Sequence, residues 1–127
     1  MELSFLRNFA IALLVFVILD GIWLGFIIKP TYSRLLKRFK IKKTNLLSAL
    51  LAYALLALGI SLLVIPRIIT SGNAFLFGAL FGLVMYGFYN FTNLAIFDGY
   101  ELSFLLIDTL WGTIACGITS LLVFLAI

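Results

Sequence analysis

The sequence contains no histidine and one cysteine, and only 11% of its residues are charged. Without histidine, the side chain best suited to proton transfer near neutral pH is missing. A single cysteine excludes a disulfide framework and thiolate zinc sites. Cys116 lies in an apolar stretch and reads as a small packing residue. So few charges on 127 residues are too few to clothe a water-soluble globule.

What fills the chain is apolar, with 65% hydrophobic residues in long runs. A membrane-spanning helix takes about 20 mostly apolar residues, and this length has room for about four of them. The expected fold is therefore all-α, an integral membrane bundle of four transmembrane helices forming one domain over residues 1–127. The helices are expected at about 5–28, 45–65, 74–97 and 102–127. Lys29-Pro30-Thr31 marks the first turn, and Thr44 or Asn45 caps the second helix. Pro66 stops that helix because it lacks a backbone donor, a turn follows at Ser71-Gly72-Asn73, and Asp98-Gly99 breaks the third helix. Glu2 offsets Arg7 and Asp20 interrupts the first apolar run, so that run is expected to be a retained helix and not a cleaved signal.

Seven of the nine basic residues, Lys29, Arg34, Lys37, Arg38, Lys40, Lys42 and Lys43, fall between the first two helices. Short loops rich in Lys and Arg stay cytoplasmic. The expected placement is thus a multi-pass protein of a bacterial inner membrane, with the 29–43 loop cytoplasmic and both termini outside. The same loop is expected to set topology and to meet the bilayer's anionic headgroups, at about 1 kcal/mol per basic residue. Nothing in it resembles a nucleic-acid module, so no nucleic-acid partner is expected.

Ionisable groups inside hydrocarbon are costly and mark functional sites by default. Asp20 lies about eight residues before the cytoplasmic end of the first helix, roughly 12 Å deep, and Asp108 about six residues into the fourth from the same side, roughly 9 Å deep. They are expected to share one layer. Tyr86, Tyr89, Asn90, Thr92 and Asn93 reach it from the third helix, with Gly82, Tyr86, Tyr89 and Asn93 on one face, and Tyr53 reaches it from the second. Neither Asp has a Lys or Arg nearby in its helix, so each carboxyl is expected to carry a proton or to hold a cation in its place.

A short echo marks the layer, because Trp23 follows Asp20, and Trp111 follows Asp108, at the same spacing of three residues on antiparallel helices. Each indole is placed to wall a carboxyl or to donate its N–H to the carboxyl of the other helix. Ala74, Gly78 and Gly82 form a small-residue series on the third helix, and Gly112, Ala115 and Thr119 continue the Asp108 face, so helices three and four are expected to approach closely.

Asp20-Gly-Ile-Trp23-Leu-Gly25, Tyr86-Gly-Phe-Tyr89-Asn-Phe-Thr92-Asn93-Leu94 and Asp108-Thr-Leu-Trp111-Gly112, in this order and spacing, resemble the small predicted bacterial membrane proteins grouped as domain of unknown function 2177. The resemblance covers nearly the whole chain. It implies a four-helix inner-membrane protein with no established activity, and some relatives look to be encoded near lipid-modifying enzymes. The family pattern has an Asp where this chain has Asn90, so a third carboxyl is absent here.

The leading functional expectation is a small transporter or channel-like protein, a homo-oligomer, whose polar layer binds a proton, a cation or a small polar solute through Asp20, Trp23, Tyr53, Tyr86, Tyr89, Asn90, Thr92, Asn93, Asp108 and Trp111. The alternative is an accessory or scaffold protein, for example in lipid modification, whose polar layer holds the helices together. An intramembrane enzyme using Asp20 and Asp108 as acid and base ranks below both, because no nucleophile–base pair or phosphate loop accompanies them. Binding of a pigment or other apolar ligand among the aromatics ranks last. No catalytic residue, metal site or cofactor is expected.

Overall fold

The computed structural model describes residues 2–28, 30, 34 and 46–127. Helix capping at Thr44 or Asn45, and the positions of Lys29, Lys37, Arg38, Lys40, Lys42 and Lys43, lie outside the described residues. Among the described residues the chain is helical with no strand, and four helices are long and apolar enough to cross a membrane: Leu3–Ile27, Leu46–Arg67, Ser71–Ile96 and Leu102–Leu125. They are designated α1 to α4 in that order.

Two of the helices change winding near one end. In α1 the regular helix ends at Ile22 and a wider turn runs through Trp23–Ile27, closed by Ile28 N donating to Trp23 O at 2.9 Å. In α2 a similar wide turn at Ile60–Val64 is followed by a tight turn at Ile65–Arg67. Pro66 was expected to end α2 at Ile65, yet the chain turns once more. A proline has no N–H to give and its ring crowds the carbonyl four residues back, and a widened preceding turn relieves both.

The third helix starts at Ser71, ahead of the expected Ala74. Thr70 is the reason. Its backbone is extended and its Oγ1 accepts from Asn73 N at 3.2 Å, which satisfies one of the orphan donors of the first turn and takes Ser71, Gly72 and Asn73 into the helix. At the other end, Asp98 and Gly99 turn the chain, with Gly99 in the left-handed region at φ 82° that glycine tolerates best. This turn sets Tyr100 and Glu101 at the start of α4.

The core lies where α1, α2 and α4 meet, around Phe16, Leu56, Ala57, Ile60, Val64, Ala115, Cys116 and Val123. Leucines, isoleucines and phenylalanines such as Leu14, Leu50, Leu55, Leu80, Phe88 and Leu110 stand exposed on the outer faces. That is the surface a lipid-solvated bundle needs, since lipid chains are as apolar as leucine and drive no helices together.

Close packing does that work between α3 and α4. Their contact follows one row of residues four apart on each helix, Gly78, Gly82, Tyr86 and Asn90 on α3 against Ser120, Cys116, Gly112 and Asp108 on α4. Gly82 sits against the Gly112 carbonyl and the Tyr86 ring against Gly112, closer than any β-carbon at those glycines would permit. The opposite side of α3 is different. The first part of α2, Leu46–Gly59, packs chiefly on α1, and α3 meets α2 mainly at the wide turn Ile60–Val64, where the Phe81 ring rests on Gly59. Helices α2 and α3 therefore diverge toward the end of the bundle that carries Asp20 and Asp108.

Candidate functional site

Two polar groups occupy that end, one on each side of a pair of stacked indoles. The first centres on Asp20, which is 8% exposed. Tyr53 donates its hydroxyl to Asp20 Oδ2 at 2.6 Å from α2, and Trp111 donates its indole N–H to Oδ1 at 3.2 Å from α4. The expected donation from an indole to the carboxyl of the other helix is thus present for this pair. Three helices converge on a single carboxyl.

The second group centres on Asp108. Asn90, with 0% exposure, donates from Nδ2 to Asp108 Oδ2 at 2.8 Å and to its own helix at the Tyr86 carbonyl at 3.0 Å. Tyr100 closes the group by donating its hydroxyl to Asn90 Oδ1 at 2.6 Å, and Asn93 donates to the Tyr100 hydroxyl oxygen at 3.4 Å. Every polar atom of the Asn90 side chain is thereby engaged inside protein, as buried amides require.

Trp23 and Trp111 join the two groups. Their rings stack at a centroid separation of 4.8 Å and an interplanar angle of 2°. Trp23 lies beside the Asp108 carboxyl, but its Nε1 is buried without a hydrogen-bond partner among the described residues. The widened turn of α1 starts at Trp23.

A cavity of about 500 Å³ opens beside Asp20 in the gap between α2 and α3. Phe16 and Asp20 of α1 form its back, Ala49, Ala52, Tyr53 and Leu56 one wall, and Met85, Tyr86 and Tyr89 the other. Tyr89 is 59% exposed, so its ring stands at the mouth. The α2 part of the wall lies 3 to 10 residues into its helix, roughly 5–15 Å from the helix end. The opening lies between the flanks of two candidate membrane spans.

Of the residues singled out from sequence, Asp20, Tyr53, Tyr86 and Tyr89 line the cavity, Trp111 touches it through Asp20, and Asn90, Asn93 and Asp108 form the enclosed group. Gly78, Gly82 and Gly112 form the α3–α4 seam. Thr92 is exposed on α3, outside both groups. Arg34, read from sequence as a topology residue, donates to Glu101 Oε1 at 2.7 Å in an exposed ion pair at the start of α4. Sequence reasoning missed Tyr100, Phe16 and Met85. An aromatic with a polar tip at the foot of the Asp108 helix was the available signal for Tyr100.

No group of three or more potential metal ligands occurs among the described residues. Neither aspartate has an ion-pair partner among them. A family model described as "Predicted membrane protein (DUF2177)" matches residues 5–125. No curated protein and no solved structure matches the chain.

Proposed function

Because the chain belongs to the DUF2177 family of predicted membrane proteins, whose description names no activity, we propose from its own geometry that it is a small transporter-like protein whose Asp20 cavity binds a proton, a cation or a small polar solute within the bilayer. One observation carries the reading: a carboxyl without a counter-charge among the described residues borders a cavity of about 500 Å³ that opens between diverging helices. An acid retained at such depth is expensive unless it is used. A polar layer that served only to hold helices together needs no cavity at its carboxyl, whereas Asp20 lines one.

In this reading Asp20 is the binding group, Tyr53 and Trp111 orient its two oxygens, and Tyr86 and Tyr89 shape the entrance. Asp108 and Asn90 hold α4 on α3 and keep Trp111 in place behind Asp20. The proposed setting is a bacterial inner membrane with the 29–43 loop cytoplasmic. The Arg34–Glu101 pair supports the acidic turn lying on the same side as that loop. The cavity is built within one chain, so the reading needs no second copy to complete it.

The test is ion flux in proteoliposomes under an imposed pH or cation gradient. Asp20→Asn should abolish the flux of the wild type while leaving its melting temperature nearly unchanged. Flux that persists in a folded Asp20→Asn variant removes the proposal.

A further inference from the structure

Resting on that reading of the Asp20 cavity, we infer that its ligand is an amphipathic organic cation, an ammonium- or phosphonium-type head on an apolar body, which enters sideways between α2 and α3. The sign follows from the charges. Among the described residues, Asp20 is the one carboxyl in the cavity lining, and no Lys or Arg lines it. A cationic head is the guest that compensates the carboxylate form of Asp20, which is costly to leave unpaired away from water.

The body follows from the walls. A metal ion asks for several oxygen ligands at close range, whereas this cavity offers one carboxylate and no three-ligand cluster is present among the described residues. The rings of Phe16, Tyr53, Tyr86 and Tyr89 line the cavity with the acid instead, with Phe16 and Tyr53 packed at 5.9 Å between centroids. Aromatic rings around a carboxylate suit a cation whose charge is spread over carbon-bound groups, because ring faces attract such ions without stripping a tight hydration shell. A volume of about 500 Å³ is far more than a proton or a bare ion occupies and lies in the range of pockets for organic ligands.

The route follows from the divergence of α2 and α3. Met85 and Tyr89 are exposed at the mouth, and the two helices meet only further along, where Phe81 lies on Gly59. An amphipathic solute dissolved in the bilayer would meet this opening directly.

The experiment uses the full chain in zwitterionic nanodiscs, with empty nanodiscs as background, and equilibrium dialysis of tetraphenylphosphonium and tetraphenylborate, ions of one shape and opposite charge. Wild type should bind the phosphonium saturably and the borate no better than empty discs do. Asp20→Asn should weaken phosphonium binding by about tenfold or more, the scale of losing a buried charge partner. Tyr89→Ala, at an exposed ring whose loss leaves the bundle intact, should weaken it by about two- to fivefold, the worth of one exposed cation–ring contact. Borate held as tightly as phosphonium, or phosphonium binding unchanged in both variants, overturns the inference. Asp20-dependent flux without phosphonium binding removes the organic cation and leaves the transporter reading standing, while absence of both removes the two together.

Discussion

The two sides of α3 solve opposite problems. Toward α4 the helix presents glycines and a buried amide, and its contact runs along the row from Gly78 to Asn90 until nothing separates the backbones. Toward α2 it presents Phe81, Met85 and Tyr89, and the contact ends after the wide turn at Ile60–Val64. Small residues close a seam in lipid because dispersion contacts are the main attraction available there. Large ones hold the neighbour off. The two aspartates inherit this difference: Asp108 is locked by Asn90 in the seam, and Asp20 borders open volume.

The contrast is broken most severely at Gly82. Gly82→Leu should cost about 3 kcal/mol, the upper range for overpacking a close-packed site, because the atom in the way is the Gly112 carbonyl and a backbone has no rotamer to escape into. Thermal melting in detergent reads this. A variant that melts like wild type would show that α3 and α4 are not sealed as described.

Asn90→Ala comes next. It removes the donor to Asp108 Oδ2 and the acceptor of the Tyr100 hydroxyl, for an expected loss of about 1–2 kcal/mol in the same melt, above the membrane average of about 0.6 because two hydrogen bonds are lost together. The smallest effect belongs to Tyr53→Phe, which removes one donor from Asp20 at the cavity and should cost no more than about 0.6 kcal/mol. If Tyr53→Phe destabilises as much as Asn90→Ala, the two aspartates share one kind of environment and the comparison fails.

Much of this was legible in the sequence, and for physical reasons. Four apolar runs mean four spans because hydrocarbon admits few other structures. The Asp-x-x-Trp echo led to the Asp20–Trp111 bond because the same spacing on antiparallel helices sets an indole against the carboxyl of the other helix. The third-helix face was drawn as Gly82, Tyr86, Tyr89 and Asn93 from helical angle alone. The actual seam runs every fourth residue, so it reaches Asn90 and turns Tyr89 outward to the cavity. Extending the Gly78–Gly82 step twice would have found Asn90 opposite Asp108. Tyr100 was harder, since its place beneath Asn90 depends on a left-handed Gly99 and on where α3 stops. The cavity itself is a divergence between helices, and no periodicity within one helix encodes it.

The indole stack has a consequence of a different kind. Trp23 and Trp111 are the only tryptophans in the chain, and they lie parallel at 4.8 Å with one N–H on Asp20. The molecule's tryptophan emission therefore arises from a single stacked pair, one ring of which is bonded to the proposed binding carboxyl. A guest that binds at Asp20 should therefore change tryptophan emission and near-ultraviolet ellipticity without any added label.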